Sequence, residues 1–318
     1  MSNQNTAIGV DIGGTSIKFA LVRADGEILR HGGLATPMTG PDAIIGAVAE
    51  GIRYLSRGAD ARPAGIGLGV PGIVDAHGHV AHPPNLPGWD IVDVAARLRP
   101  RLEGLDLPIA VENDANVAAV AEARVGAGVD EPNFLYVTLG TGVGGCIISN
   151  GQVWRGATGG AGEIGHITVD VNGPLCNCGA RGCIEAYIGN RYMSTYAAAR
   201  LEREPDSMLH AWIAAGQGVD PKRLDEAAMS GDHFAREFLA EMGELLGAAL
   251  ASAMNMLDMR LVVVGGGLSQ ANTSLLDPAR ASMRRRLLKT LAPVAELRPA
   301  LFLNDAGVIG GALMAMNR

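Results

Sequence analysis

The sequence is poor in aromatic residues and in positive charge. Only 4% of its 318 residues are aromatic, so Ala, Val, Leu and Ile must supply most of the apolar core. Lys and Arg number 26 against 33 Asp and Glu, and the net charge of −7 has the wrong sign for a general nucleic-acid binder. An anionic ligand would therefore have to be held locally, by backbone N–H groups, a helix N-terminus or a metal ion.

Long apolar runs and an N-terminal targeting pattern are also missing. No run approaches the ~18 apolar residues of a membrane span, and Met1–Val10 contain neither Lys nor Arg. We therefore expect a cytoplasmic protein that binds neither membranes nor nucleic acid. The length corresponds to about two globular domains, which excludes a peptide module or a disordered chain.

Strand and helix patterns alternate along the chain, which predicts the α/β class. Residues 134–149 repeat the strand–turn–strand character of residues 6–22, so two halves of similar design are expected. The other predicted strands cover residues 28–34, 65–70, 108–112 and 260–264. The predicted helices start at Pro41, cover 114–124, fill most of 184–258, and close the chain at 307–316.

Short glycine motifs occupy the turns of these halves. Asp11-Ile12-Gly13-Gly14-Thr15 and Gly140-Thr141-Gly142 combine backbone N–H groups that a phosphate could approach with a threonine hydroxyl. Either motif alone could be an ordinary hairpin turn, but the pair favours a phosphate clamp. Gly265-Gly266-Gly267 follows another strand and could contact a base or ribose, or simply turn the chain.

The sequence Glu112-Asn113-Asp114 lies where a predicted strand becomes a helix. A carboxylate there is stabilised as an anion, which suits a base that accepts a proton from a hydroxyl. Asp114 could instead serve only as the cap of that helix. Asn85, in a Pro- and Gly-rich loop, offers a donor and an acceptor to a polyol.

The most specific signal is a cluster of one imidazole and three thiols. Three of the four cysteines lie within eight residues, and the glycines between them allow a tight loop. This donor set is typical of a closed structural zinc site, and unligated cysteines are the alternative. The expected ligands are His166, Cys176, Cys178 and Cys183. Cys146, outside the cluster, is expected in the core.

Taken together, these motifs resemble the ROK family of sugar kinases and repressors. The resemblance covers residue 6 to the C-terminus, and its most specific part is Glu163-Ile-Gly-His166 followed by CNCGARGC at 176–183 and Glu185. It implies an actin-like, ribonuclease-H-like α/β fold with two domains and a central cleft. The implied domains are residues 1–115, joined by the C-terminal helix at 305–318, and residues 116–304, which include the zinc loop.

The resemblance also implies residue roles. Asp114 would be the general base, and Asn85, Asn113, Asp114, Glu163, His166 and Glu185 would bind the sugar. Mg-ATP would be the co-substrate, with Asp11 positioning Mg²⁺. The expected ATP contacts are Asp11, Gly13, Gly14, Thr15, Lys18, Gly140, Thr141, Gly142, Gly265, Gly266 and Gly267.

The function implied is an ATP-dependent hexose kinase that acts on glucose and forms a homodimer or homotetramer. A kinase for N-acetylmannosamine or N-acetylglucosamine is an alternative that differs only in the sugar. A sugar-responsive transcriptional regulator is the alternative from another class. We expect it less, because Asp11 leaves little room for a preceding DNA-binding segment and the chain is acidic.

Overall fold

The computed structural model describes residues 5–57, 59 and 62–316 and divides the chain into two compact units. The first unit contains residues 1–132, 146–161 and 301–318, and the second contains 133–145 and 162–300. The first unit therefore extends beyond the boundary expected at residue 115. The reason is that the helix following Asn113 packs against the C-terminal helix.

The first unit is built on a five-stranded sheet. Its strands are β1 (Thr6–Ile12), β2 (Ser16–Arg23), β3 (Ile28–Ala35), β4 (Ile66–Val70) and β8 (Ile109–Asn113). Their order in the sheet is β3-β2-β1-β4-β8. The first three strands are antiparallel, and β1, β4 and β8 are parallel. All five were predicted, with ends that agree within one or two residues.

Helices pack on this sheet, and their bounds are α1 (Pro41–Ser56), α2 (Val94–Leu98), α3 (Asp114–Val125) and α10 (Ala306–Ala315). The apolar positions that predicted α1, such as Ile45, Val48 and Ile52, are fully buried. They join one apolar cluster with the strands, while α3 and α10 contribute to a second. The first unit therefore has the α/β architecture that was predicted.

Glycines allow α10 to lie unusually close to the sheet. A Cβ on Gly9 of β1 would lie 1.7 Å from the carbonyl oxygen of Val308, and one on Gly67 of β4 would lie 1.9 Å from that of Gly311. A Cβ on Gly310 would lie 1.8 Å from the carbonyl oxygen of Val117 in α3. Only glycine permits such backbone contact, so α3 and α10 belong to the same unit.

Two small β elements complete the first unit. One is a three-stranded sheet of β5 (Ile73–Val74), β6 (His79–Ala81) and β7 (Ile91–Asp93), which was not predicted. The other is a hairpin of residues 146–149 of β10 (Val143–Ser149) with β11 (Gln152–Trp154), which pairs Ile147 with Trp154 and Ser149 with Gln152. Cys146 in β10 is fully buried, as expected.

In the second unit, β12 (Leu261–Gly265) lies between β9 (Phe134–Leu139) and β13 (Glu296–Pro299) and is parallel to both. The helical region predicted over 184–258 is confirmed. Its helices are α4 (Glu185–Ile188), α5 (Asn190–Leu201), α6 (Leu209–Ala214), α7 (Pro221–Met229) and α8 (His233–Leu257), and α9 (Asp277–Arg286) follows. Within the described residues, no helix combines the length and apolarity that crossing a bilayer requires.

Candidate functional site

The first glycine turn joins β1 to β2 at the end of the sheet. The N–H of Gly13 donates to the carbonyl of Ser16 at 3.0 Å, and Thr15 is exposed at the tip. Asn85 packs against the turn, because a Cβ on Gly14 would lie 2.9 Å from the Cβ of Asn85. The structure thus brings one predicted sugar ligand beside the predicted phosphate turn.

Asp11 lies one residue before the end of β1, opposite Lys18 in the antiparallel register. The Lys18 ammonium donates to the carbonyl of Asn304 at 2.9 Å. Burial raises the pKa of Asp11 to about 6, with a further increase from the charge of Asp114 and an opposing effect from Lys18. Asp11 is paired with Gly69 of β4, and a Cβ on Gly69 would lie 3.7 Å from the Cα of Asp114. The two aspartates are therefore near each other, although they lie far apart in the sequence.

The junction of β8 and α3 carries the candidate base. Asn113, not Asp114, caps α3: its Oδ1 accepts from the N–H groups of Ala115 at 2.9 Å and Asn116 at 3.1 Å. The Asn113 amide donates to the carbonyl of Gly72 at 2.9 Å. Asp114 is the first residue of the helix, and its Oδ1 also accepts from the Ala115 N–H at 2.8 Å.

The Asp114 residue is exposed to solvent, but neighbouring protein atoms partly desolvate its carboxylate. This desolvation raises its pKa, and hydrogen bonds from the Ala115 N–H and other neighbours oppose the increase. An exposed carboxylate at a helix start, with a second carboxylate nearby, can accept a proton from a hydroxyl that approaches from solvent.

The second glycine turn, between β9 and β10, is held by the residues that follow the cysteine cluster. The N–H of Val143 donates to Oε2 of Glu185 at 3.0 Å. A Cβ on Gly142 would lie 2.4 Å from the same oxygen, so only glycine lets the carboxylate approach. The N–H of Asn190 donates to the carbonyl of Gly140 at 3.0 Å. Sequence reasoning missed this role of Asn190.

The glycine triplet ends β12 beside the end of β9. Gly266 has a φ of +82°, and a Cβ there would lie 2.2 Å from the carbonyl oxygen of Leu139. The positive φ and the close backbone approach both require glycine. Gly265 and Gly267 flank it, so the triplet adjoins the strand that leads into the Gly140–Gly142 turn.

The four predicted metal ligands come together in the second unit. Their ligand atoms all lie within 4.8 Å of one another. Cys178 Sγ lies 3.6 Å from Cys183 Sγ, and His166 Nδ1 lies 3.8 Å from Cys176 Sγ. A tetrahedral zinc ion with bonds of about 2.1–2.3 Å has ligand–ligand edges of about 3.4–3.8 Å. The donor types and spacing therefore fit zinc.

Of the sugar candidates in the second unit, His166 is itself a member of this cluster and Glu185 adjoins it. Glu185 Oε1 lies 3.9 Å from Cys176 Sγ, while Glu163 and His166 are exposed at the ends of one helical turn. Because Nδ1 of His166 faces the cysteines, its Nε2 is the nitrogen left for another partner. Asn85, Asn113 and Asp114 belong to the first unit and Glu163, His166 and Glu185 to the second.

Comparison with known proteins identifies the family. The ROK family model matches residues 7–318. This chain belongs to the ROK family. A glucokinase of Halalkalibacterium halodurans is 37% identical over 310 residues, which cover 96% of this chain and 93% of that protein. An N-acetylmannosamine kinase of Escherichia coli O157:H7 is 31% identical and covers 98% of both chains.

A solved ROK structure agrees with this assignment. The glucokinase of Streptomyces griseus, in complex with glucose and AMPPNP, is 36% identical and superposes with a TM-score of 0.85. The match covers 99% of this chain and 100% of that one. The actin-like sugar-kinase fold expected from the ROK resemblance is therefore confirmed.

Proposed function

We propose that this ROK protein is an ATP-dependent hexose kinase that transfers the γ-phosphate of Mg-ATP to a hydroxyl of glucose. The observation that carries the proposal is the placement of Asp114 at the start of α3, beside Gly69, which is the sheet partner of Asp11. One carboxylate would take the proton of the sugar hydroxyl, and the other would position the Mg²⁺ of the nucleotide. The similarity to ROK glucokinases supports glucose as the sugar.

In the proposed reaction, the glucose 6-hydroxyl attacks the γ-phosphorus of ATP. A new oxygen–phosphorus bond forms, the bond from the γ-phosphorus to the bridging oxygen breaks, and ADP leaves. Asp114 accepts the hydroxyl proton, so glucose 6-phosphate, ADP and a proton result. The raised pKa of Asp114 favours this role, since the carboxylate then binds a proton more readily than an ordinary aspartate does.

The sugar hydroxyls would be held by Asn85, Asn113, Glu163, His166 and Glu185, with Asp114 on the reacting hydroxyl. The phosphates would lie against the two glycine turns, where backbone N–H groups, Thr15, Lys18 and Thr141 can donate. The adenosine would contact Gly265, Gly266 and Gly267. Gly266 supports this, because its tight packing fixes the backbone that a nucleoside would approach.

The cysteine cluster would hold a structural zinc ion. His166, Cys176, Cys178 and Cys183 would be the ligands, and zinc would supply a crosslink that stabilises the loop. Glu185 supports this role, because its carboxylate adjoins the cluster and also accepts the Val143 N–H. Fixing the cluster would thus fix Glu185, His166 and the second glycine turn together.

A second candidate substrate is N-acetylmannosamine, which the similarity to the Escherichia coli kinase supports. Separate assays of ADP release with glucose, mannose, N-acetylglucosamine and N-acetylmannosamine would decide between them. We expect turnover dominated by glucose and lost in Asp114→Asn, with the variant folded. Turnover dominated by an acetylated sugar would change the substrate but keep the base. Sugar binding without sugar-dependent turnover would refute the kinase and favour a sensor.

A further inference from the structure

A buried carboxylate precedes the candidate base and has no assigned role. Glu112, in β8, is only 2% exposed. Its Oε1 accepts from the N–H of Asn113 at 2.9 Å and from the side-chain amide of Asn116 at 2.9 Å. Both donors belong to the first turn of α3 or its cap. Glu112 therefore fastens the end of β8 to the helix start that carries Asp114.

The other oxygen of Glu112 is held by an arginine from a distant segment. Arg155 Nε donates to Oε2 at 2.7 Å, and Nη2 lies 2.6 Å from the same atom. Arg155 directly follows β11 and is not among the candidate site residues that the sequence analysis named. A carboxylate this buried is costly unless it is paired, and Arg155 supplies the charge that offsets its desolvation.

A cavity of about 310 Å³ lies beside this ion pair, and Glu112, Arg155, Asp75 and His77 are among its lining residues. Solvent that enters this cavity would offer Glu112 an alternative partner. Without Arg155, the carboxylate would gain hydration by turning toward the cavity. Oε1 would then leave Asn113 and Asn116, and the first turn of α3 would lose its anchor.

We propose that Arg155 is a positioning residue for the phosphoryl-transfer base. It keeps the Glu112 carboxylate directed at Asn113 and Asn116, and Glu112 in turn sets the position of Asn113 and Asp114. This inference rests on the proposed kinase function, because it assigns Asp114 the role of base. Loss of an arginine that only stabilises the fold would leave the chemical step unchanged, whereas loss of Arg155 should slow it.

The test compares Arg155→Met, Arg155→Lys and the double variant Glu112→Gln/Arg155→Met. Arg101→Met is the matched control, because Arg101 is a similarly exposed arginine of the same unit that pairs with Asp42. For each protein, kcat and the KM for glucose are measured per folded molecule. Glucose affinity is measured by calorimetry, and the melting temperature is recorded.

For Arg155→Met we expect kcat to fall roughly 10- to 100-fold, because displacing a reacting group by about 1 Å costs about that much. Arg155→Lys should recover part of the loss, since a lysine keeps the charge but provides only one donor group. The double variant should return to within roughly threefold of the wild type. Its Glu112→Gln change keeps a side-chain oxygen for Asn113 and Asn116 and leaves no charge to hydrate.

Two results from the variants would overturn the inference. A lower melting temperature with unchanged kcat in Arg155→Met would make the pair purely structural. A double variant as slow as Arg155→Met would show that the loss does not arise from an unpaired Glu112. If the wild type binds glucose but turns nothing over, the kinase proposal and the positioning role for its base both fail. In that case, unchanged glucose affinity in Arg155→Met would also exclude a role for Arg155 in placing Asn113.

Discussion

Substituting one glycine of α10 should impair catalysis without weakening the fold. Gly307 is the second residue of α10 and lies against the Asp11 side chain. A Cβ there would lie 2.7 Å from Cγ of Asp11, and 3.0 Å from both its Cβ and Oδ2. Since ordinary carbon contacts begin near 3.4 Å, the Asp11 carboxylate would have to move by about 0.7 Å.

The size of the expected loss follows from this displacement. Asp11 is the proposed Mg²⁺-positioning residue, and a 1 Å error in such a group costs about 100-fold in rate. We therefore expect Gly307→Ala to lower kcat roughly 10- to 100-fold and to raise the Mg²⁺ concentration needed for half-maximal rate. The helix itself should gain up to about 1 kcal/mol, because alanine is the better helix former.

The assay measures ADP release with glucose over a Mg²⁺ titration, together with thermal unfolding. Gly46→Ala is the matched control, because Gly46 lies inside α1 and a Cβ there would meet nothing within 4 Å. It should gain stability and keep wild-type kinetics. Normal kcat and Mg²⁺ dependence in Gly307→Ala would refute the reasoning. A large loss of stability would mean that α10 is displaced by the new methyl group and that the Asp11 side chain stays in place.

Stability measurements test three other parts of the structure. Because the pKa of Asp11 is raised from 3.8 to about 6, its ionisation destabilises the fold as pH rises through that window. Without nucleotide, Asp11→Asn should therefore gain on the order of 1–3 kcal/mol at pH 7.5 and almost nothing at pH 4, as measured by thermal melts; equal gains would contradict this. Cys183→Ser should lose bound zinc and melt at a lower temperature, whereas Cys146→Ala should retain the metal in an elemental assay. Glu122→Ala should cost about 3 kcal/mol in denaturant unfolding, since three backbone N–H groups lose their buried acceptor, while the exposed Glu50→Ala should change little.

Local patterns predicted most of the elements that position the site. The strands before each glycine turn, the helix after Asn113 and the C-terminal helix follow from alternation, capping residues and periodicity. The small sheet β5–β7 was missed, because strands of two or three residues carry too little alternation to recognise. The cap of α3 was also missed, because Asn and Asp are both favourable cap residues and only Asp114 was considered.

The sequence by itself determined the fold class, the family and the candidate metal ligands. The ligands His166, Cys176, Cys178 and Cys183 could be recognised because they lie close together in the chain and glycines shape the loop between them. Only the tertiary structure paired Arg155 with Glu112, 43 residues away, and Glu122 with Leu301, 179 residues away. Such contacts depend on how strands and helices pack, and packing places together side chains whose separation along the chain follows no period.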